Sequence, residues 1–346
     1  MGGAIPLRLE TSPRDLRGRA LSDLRISVLD RCNFRCPYCM PEDRYPRDHV
    51  FLSKAERLRF EEIERLARVF AGLGVRKLRL TGGEPLLRRE LPELVRRLAT
   101  IAGIDDLALT TNGSLLTEHI EALRAAGLGR ITLSLDTLDA HTFRVLSGGR
   151  GDVATVLGAI AAAEAAGYVS LKINCVVMRG VNDDQVLDLA AHFRGSGHVL
   201  RFIEYMDVGT CNTWHSDRVV PSAELRARIG ARWPLVELPA NYDGEVAKRW
   251  AFADGAGEVG FISSVSEPFC GGCTRARLSA DGRLYTCLFA NAGHDLRGVL
   301  RSGADDVELS RLVAALWRAR DDRYSETRGP DNSVSRQRVE MYAIGG

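Results

Sequence analysis

The chain has 346 residues, of which 45% are apolar and 27% charged, a composition ordinary for a soluble globular protein. The formal net charge is +2, which gives no reason to predict a nucleic-acid or membrane partner. No apolar run reaches transmembrane length, and residues 1–19 lack the apolar centre of a secretion signal, so a cytoplasmic location is predicted.

Three cysteines follow the first predicted strand directly. Cys32, Cys36 and Cys39 have the spacing Cys-x3-Cys-x2-Cys, and their loop can fold three thiolates around one inorganic cluster. Three thiolates are one fewer than the usual four of a cubane iron–sulfur cluster, which leaves one iron open for another ligand. The alternatives are a partial disulfide set or a zinc site, although zinc ligands usually come as paired Cys-x2-Cys knuckles.

Predicted strands and helices then alternate as far as Met206. Ser53 and Glu56 form a capping-box pattern that predicts a helix start. The strands are predicted at about 24–29, 75–80, 107–110, 130–136, 169–177 and 199–206. The later helices are predicted at about 89–102, 117–126, 139–147, 152–166 and 182–194. This alternation indicates an α/β fold with parallel strands, and six units are too few for an eight-stranded barrel. We predict an open, partial (β/α)6 TIM-like barrel; the alternative is a flat doubly wound sheet.

The chain after Met206 is richer in turns, and we predict a smaller C-terminal domain there. Ser222 is predicted to cap a short helix, and a hairpin is predicted around Gly282. Short strands are predicted at 233–238, 249–252, 258–262, 276–279 and 283–287, with a helix at about 305–320. The predicted divisions are a lead-in over 1–23, a barrel over 24–215, a C-terminal domain over 216–324 and a tail over 325–346.

A second cysteine trio lies in this C-terminal part. Cys270 and Cys273 are followed after thirteen residues by Cys287, which the hairpin could deliver to them. Three ligands again predict a cluster with one open iron; zinc with His294 as a fourth ligand is the alternative. Cys175, which has no partner at ligand spacing, is predicted to pack in the core.

Unusual residues cluster at the carboxyl ends of the predicted strands, where α/β folds bind ligands. They are Cys32, the run 82–85 (Gly-Gly-Glu-Pro), the run 110–113 (Thr-Thr-Asn-Gly), Ser134, Asp136 and Met206. The strands themselves carry Arg25, Arg79 and Lys172, which could converge inside a barrel. An anionic ligand such as a nucleoside triphosphate would offset the cost of burying these cations, whereas a solvated strand face is the alternative.

The first cysteine motif, with Gly83 one βα unit later, resembles the signature of radical S-adenosylmethionine (SAM) enzymes. With the second trio, the segment Cys273-Thr-Arg275-Ala-Arg277 and the Gly345–Gly346 end, the chain is similar over nearly its whole length to the GTP 3',8-cyclase family. The resemblance implies two [4Fe–4S] clusters, with SAM on the first and the guanine of GTP on the second. It also implies a lyase that performs the first step of molybdenum cofactor biosynthesis.

The resemblance assigns roles residue by residue. The cluster ligands are Cys32, Cys36, Cys39, Cys270, Cys273 and Cys287. The SAM contacts are Tyr38, Gly83, Ser134 and Met206. The GTP contacts are Arg25, Arg79, Thr110, Lys172, Arg275, Ala276 and Arg277. The catalytic residues are Arg275, Arg277, Gly345 and Gly346, the last two in a tail that reaches into the active site.

The implied reaction starts when the reduced first cluster cleaves SAM to a 5'-deoxyadenosyl radical. This radical takes the hydrogen from ribose C3' of GTP, and C3' then bonds to C8 of guanine; reduction and protonation give 3',8-cyclo-7,8-dihydro-GTP. Implied partners are a reductant protein of flavodoxin-like type and the next enzyme, cyclic pyranopterin monophosphate synthase, and the chain is dimer-capable. The remaining alternatives are a peptide-modifying radical SAM enzyme and a non-catalytic metal-binding interaction protein.

Overall fold

The computed structural model describes residues 12–329 and 338–345. Its first part alternates strands and helices along the chain. The strands are β1 (Asp23–Ser27), β2 (Lys77–Thr81), β3 (Asp106–Thr111), β4 (Arg130–Ser134), β5 (Lys172–Val177) and β6 (Val199–Glu204). The helices are α1 (Phe60–Gly72), α2 (Leu91–Ala99), α3 (Leu116–Ala125), α4 (Ala140–Leu146), α5 (Val153–Ala165) and α6 (Val186–Phe193).

The second part has shorter elements. Its strands are β7 (Leu235–Leu238), β8 (Lys248–Phe252), β9 (Glu258–Ile262), β10 (Arg275–Leu278), β11 (Arg283–Tyr285) and β12 (His294–Asp295). Its helices are α7 (Ser222–Arg232), α8 (Leu296–Arg301), α9 (Asp306–Arg318) and α10 (Met341–Ile344). The sequence predicted most of these elements but gave no signal for β12, α8 or α10.

Twelve strands of the described residues form one open sheet, in the order β12-β11-β10-β1-β2-β3-β4-β5-β6-β9-β8-β7. Strands β1 to β6 follow one another in parallel, β10 joins β1 in parallel, and β9 joins β6 in parallel. Antiparallel strands then complete both edges. The predicted α/β partial barrel is therefore confirmed, and the sheet does not close.

Alternation along the strands separates a helix-covered face from an inner face. In β1, Leu24 and Ile26 are fully buried in the core, while Arg25 lines a cavity on the other side. In β5, Ile173 is buried in the core and Lys172 lines the same cavity. Because successive side chains of a strand point to opposite faces, one face holds the fold together and the other is free for chemistry.

Two predicted helix starts differ from the structure. Ser53 and Glu56 make the bonds of a capping box, from Ser53 N to Glu56 Oε2 at 2.8 Å and from Glu56 N to Ser53 Oγ at 3.4 Å. The helix nevertheless begins at Phe60, because the backbone N–H of Leu58 donates to the Ala280 carbonyl at 2.8 Å and holds the chain extended.

Ser222 was predicted to cap α7, but it is the first residue of that helix. Its hydroxyl and its backbone N–H both donate to the buried Glu204 carboxylate, at 3.0 Å and 2.7 Å. The Glu204 carboxylate at the end of β6, rather than the Ser222 hydroxyl, thus accepts the backbone hydrogen bond at the start of α7.

The predicted domain boundaries at residues 215 and 324 stay a prediction. Residues on both sides of 215 contribute strands to the same sheet, with β9 beside β6 and β10 beside β1. Among residues 12–329 and 338–345, no helix combines the length and apolar character needed to cross a membrane.

Candidate active site

Both cysteine trios line one cavity, which opens on the inner face of the sheet. Cys32, Cys36 and Cys39 approach it from the loop after β1. The other three thiols, Cys270, Cys273 and Cys287, approach it from the loops before β10 and after β11. The pairing of β10 with β1 therefore brings together two motifs that lie more than 200 residues apart in the chain.

The first cysteine loop is held by Arg35, whose side chain is buried. Its Nε donates to the Tyr45 carbonyl and one terminal nitrogen donates to the Cys32 carbonyl, both at 2.8 Å. Burial, followed by the Glu84 carboxylate, raises the pKa of Cys32 to about 12. Burial also raises the pKa of Cys36 and Cys39, with the neighbouring thiols adding to the effect. Such thiols lose their protons only when a cation takes the protons' place.

The second trio has a more cationic setting. Burial alone would raise the pKa of Cys273, but the Arg275 and Arg320 guanidiniums lower it to about 6. One Arg275 nitrogen lies 3.3 Å from Cys273 Sγ. Burial, with Asp322 beside it, raises the pKa of Cys287 to about 11. One thiolate ligand is thus ready at neutral pH before any metal binds.

Each trio brings three cysteine thiols to the cavity, and thiolates are the ligands that iron–sulfur clusters take. Within the described residues, no three His, Cys, Asp or Glu side chains converge on a point that could hold a single metal ion. A cubane cluster binds each thiolate through a different iron, so its ligands surround a larger volume. His294, the zinc alternative's fourth ligand, is exposed on β12.

The two glycines after β2 approach the cysteine loop rather than open space. A Cβ on Gly82 would overlap the Leu29 carbonyl oxygen, and one on Gly83 would overlap that of Arg31. The Gly83 N–H donates to the Leu29 carbonyl at 2.7 Å, and the Glu84 N–H to that of Arg31 at 2.9 Å. Both glycines also line the cavity. Their lack of side chains is therefore required by the packing of the cysteine loop, which residue type alone did not reveal.

The predicted SAM contacts Tyr38, Gly83, Ser134 and Met206 all line the cavity. The Tyr38 hydroxyl donates to Asp136 Oδ2 at 2.5 Å, and the Val176 N–H donates to Asp136 Oδ1 at 2.8 Å. Burial raises the pKa of Asp136 to about 6, although both donors oppose the shift. The sequence placed Asp136 at a strand end, but its pairing with Tyr38 needed the structure.

Cations form a row across the inner face. The strand register sets Arg25 beside Arg277 on one side and beside Arg79 on the other. Burial, and then the guanidiniums of Arg277, Arg275 and Arg79, lower the pKa of Arg25 well below its usual value. Four arginines that repel one another in a buried wall indicate a site for an anion.

Lys172 and Arg201 extend this cationic wall. Burial, with Arg201 as the largest neighbouring charge, lowers the pKa of Lys172 to about 7. Burial likewise lowers the pKa of Arg201 to about 9. Sequence reasoning missed Arg201, although an arginine between buried Leu200 and Phe202 carries the same signal as Lys172. Gly260 on β9 makes room for it, because a Cβ there would lie 3.0 Å from Arg201 Cγ.

Several buried polar atoms on this face have no hydrogen-bond partner among the described residues. They include Arg25 Nε, Arg201 Nε, one terminal nitrogen of Arg275 and Asn174 Oδ1. An unpartnered buried N–H costs about 1–3 kcal/mol, so the three arginine donors are complementary to oxygen-rich anionic ligands, whereas Asn174 Oδ1 can only accept a hydrogen bond.

Not every predicted GTP contact faces the cavity. Arg79 donates to the hydroxyls of Thr110, at 2.9 Å, and Thr132, at 3.1 Å, and both Arg79 and Thr110 line the cavity. Ala276 packs on the opposite face of β10, fully buried with Leu24 in the core. Ala276 could therefore contact a ligand in the cavity only through its backbone atoms.

The C-terminal tail also approaches the inner face. Arg277 donates to the Gly345 carbonyl, and Tyr342 lines the cavity. Gly345 has a φ of +72°, and a Cβ there would overlap Thr81 Cγ2. Glycine is thus required at position 345 for backbone conformation and for space. Gly346 lies outside the described residues.

Comparison with known proteins gives the family. A family model of the radical SAM superfamily matches residues 26–193, and the model called Molybdenum Cofactor Synthesis C matches residues 198–326. A relative from Xanthomonas axonopodis pv. citri (strain 306), named GTP 3',8-cyclase, is 62% identical over 97% of this chain and 100% of its own length. Relatives with the same name from Acidothermus cellulolyticus and Staphylococcus aureus (strain MRSA252) are 53% and 45% identical. They cover 94% and 96% of this chain and 91% and 98% of their own lengths. The chain belongs to the GTP 3',8-cyclase family of the radical SAM superfamily.

Proposed function

We propose that this chain converts GTP into 3',8-cyclo-7,8-dihydro-GTP, the first step of molybdenum cofactor biosynthesis. The observation that carries the proposal is the single cavity, which is lined by both cysteine trios and by a wall of buried cations. Relatives named GTP 3',8-cyclase over nearly the whole chain support the same activity. The superfamily implies SAM and one iron–sulfur cluster; the second cluster is part of the proposal.

The first trio would hold the cluster that binds SAM. When bound, this cluster and SAM supply the carbon-centred radical that starts the reaction. The residues in reach of SAM are the predicted Tyr38, Gly83, Ser134 and Met206, which share the cavity wall with Cys36. Asp136 fixes the orientation of the Tyr38 ring through their hydrogen bond. A fixed ring limits the positions that an adenine beside it can take.

The second trio would hold a cluster whose open iron faces the guanine. Cys273 is the first ligand available, because its lowered pKa keeps it deprotonated at neutral pH. Arg275 neutralises part of the charge of this site through its contact with Cys273. Its other terminal nitrogen has no partner among the described residues and is free to donate to the substrate.

The triphosphate would bind to the cationic wall. Arg25, Arg79 and Arg277 lie side by side in the sheet, and Lys172 and Arg201 continue the wall across β5 and β6. Guanidinium groups bind phosphate oxygens in bidentate fashion, which fixes the ribose between the two trios. Arg277 also holds the Gly345 carbonyl, so the same residue links the substrate wall to the tail.

The test is anaerobic reconstitution followed by analysis of iron and product. The wild type should bind about eight irons per chain, and the variant Cys270→Ser/Cys273→Ser/Cys287→Ser about four. That variant should still cleave SAM with dithionite but form no cyclised GTP. Cys175→Ser is the matched control, since Cys175 is buried in the core and does not line the cavity. A variant that still cyclises GTP, or a wild type that holds only four irons, would contradict the proposal.

The proposed activity also requires a source of electrons and an acceptor for the product. We infer that a protein reductant supplies electrons, that cyclic pyranopterin monophosphate synthase takes the product, and that the chain forms a homodimer in the cytoplasm. Co-purification and sedimentation of the cluster-loaded protein would test whether the chain forms a homodimer.

A further inference from the structure

A short turn ahead of β1 closes around one buried carboxylate. Asp15 accepts hydrogen bonds from the backbone N–H groups of Arg17 and Arg19, both at 2.9 Å. The Gly18 N–H donates to the Asp15 carbonyl at 2.9 Å, and Gly18 has a φ of +77°, which glycine adopts at little cost. An aspartate followed three residues later by a glycine thus folds this part of the predicted lead-in into a tight turn.

The turn packs on the end of α9. The Leu16 N–H donates to the Arg320 carbonyl at 3.2 Å, and the Trp317 indole N–H donates to the Arg19 carbonyl at 3.0 Å. Arg19 and Arg320 both contact the Asp15 carboxylate, at 2.6 Å and 3.3 Å, and all three side chains are buried. Residues 305 positions apart in the chain therefore share one buried ionic network.

Each of these two arginines also holds a cysteine of the second trio by its backbone. One terminal nitrogen of Arg19 donates to the Cys270 carbonyl at 2.8 Å, and one of Arg320 donates to the Cys273 carbonyl at 2.7 Å. Because a guanidinium is rigid and planar, its contact with Asp15 also fixes the direction of its bond to the carbonyl. Two predicted cluster ligands are thus positioned by side chains that lie outside the cysteine motif.

The third cysteine joins the same network through Asp322. Its carboxylate accepts from Arg320 Nε at 3.3 Å and from the Thr286 hydroxyl at 2.6 Å. Thr286 directly precedes Cys287 in the chain. The Asp322 carbonyl accepts a further hydrogen bond from Arg19, at 2.7 Å. The backbone around all three predicted ligands is therefore connected to one pair of buried cations.

Burying this pair of cations is costly unless nearby charge compensates them. An ion taken out of water loses several kcal/mol, and apolar side chains would join the two chain segments without that loss. Asp15 brings one negative charge against two positive ones, and Asp322 is 32% exposed to solvent. Three cluster-bound thiolates would bring further negative charge to the same place. The pair therefore fits a role towards the cluster better than a role in packing alone.

We propose that Arg19 and Arg320 are positioning residues for the second cluster. They hold the carbonyls of Cys270 and Cys273 in place for ligation, and the charge of Arg320 raises the reduction potential of the cluster. The inference rests on the proposed function, because the second cluster is part of that proposal. A nearby cation favours the reduced cluster, which carries one more negative charge than the oxidised one.

The test uses the full chain with all three cysteines of the first trio replaced by serine. This parent should hold about four irons, all at the second trio. Adding Arg320→Gln, which removes the charge but keeps an N–H donor, should lower the midpoint potential in a redox titration. Arg320→Lys keeps the charge and should leave the potential near that of the parent. Arg19→Met should speed the loss of iron to a chelator about tenfold, because the Cys270 carbonyl loses its donor.

The matched control is Arg17→Gln in the same parent. Arg17 belongs to the same turn but is exposed and pairs with Asp321, so its loss should change neither the potential nor the iron release. In the chain with the first trio intact, Arg19→Met and Arg320→Gln should still cleave SAM with dithionite at the wild-type rate.

Three results would overturn the positioning role. They are equal potentials in the parent and Arg320→Gln, an equal shift in Arg17→Gln, and loss of SAM cleavage in Arg19→Met and Arg320→Gln, which would assign the pair to folding. A parent that holds no iron contradicts the second cluster of the proposed function itself, and the positioning role falls with it.

Discussion

The lowered pKa of Lys172 leads to a quantitative prediction of how GTP binding depends on pH. Burial and the neighbouring Arg201 lower its pKa from 10.5 to about 7, so in the free protein it loses its charge as the pH rises through 7. A bound triphosphate favours the charged form and returns the pKa towards its usual value. GTP binding above pH 7 should therefore take up a proton, and the affinity should fall as the pH rises.

The magnitude follows from the two pKa values. If the bound lysine titrates near 10.5, the Kd for GTP should rise about fivefold between pH 7 and 8, and about fiftyfold between pH 7 and 9. At pH 8 about 0.9 proton should be taken up per GTP bound. Calorimetry of the cluster-loaded protein in buffers of different ionisation enthalpy measures this uptake directly.

Two substitutions separate the lysine from other groups. Lys172→Arg keeps its charge throughout this range and should bind GTP with little pH dependence between 7 and 9. Lys172→Met should bind more weakly at pH 7 and should also lose the pH dependence. If Lys172→Arg retains the wild-type pH profile, the titrating group is another residue and the reasoning is wrong.

Three further predictions concern the wall and the tail. Arg201→Met should weaken GTP binding by about 1.5–3 kcal/mol in calorimetry and leave SAM binding unchanged; an unchanged GTP affinity would exclude Arg201 from the wall. Gly345→Ala should reduce cyclisation but spare SAM cleavage, because Ala at positive φ costs about 1–2 kcal/mol and its Cβ overlaps Thr81 Cγ2. Adding Thr81→Ser, which removes that methyl group, should restore part of the product yield; equal yields with and without it would refute the steric argument. Asp207→Asn should lower the free energy of unfolding by about 3 kcal/mol in urea titrations. Asp207 accepts hydrogen bonds from Tyr324 at 2.6 Å, Arg328 at 3.0 Å and Arg338 at 3.0 Å, which join the tail to the barrel. A loss within error of zero would show that these bonds do not hold the tail.

Local patterns in the sequence were enough to predict the barrel and the charged face. Alternation placed Lys172 opposite Ile173 and Arg79 opposite Leu78, and the structure has these side chains on opposite faces. Such patterns are readable because a strand buries one face against helices, whatever the rest of the chain does.

Contacts between distant parts of the chain could not be predicted from the sequence. The sequence predicted a strand near Ala276, but nothing local indicated that β10 would pair in parallel with β1 and bring Arg277 beside Arg25. The capping-box pattern at Ser53 formed its hydrogen bonds without starting a helix, because Leu58 is held by Ala280 from the far end of the chain. The pairing of distant strands and tertiary hydrogen bonds determine the structure at these two places, and short sequence motifs do not encode such contacts.

The proposed reaction requires GTP to lie between the two trios, within reach of the radical that forms at the first. Incubation of the cluster-loaded protein with SAM, dithionite and GTP deuterated at ribose C3' tests this most directly. We predict that the 5'-deoxyadenosine formed carries the deuterium in the wild type, and that Cys273→Ser cleaves SAM without acquiring it. Deuterium that remains in GTP while the wild type cleaves SAM would contradict the shared cavity as the site of reaction.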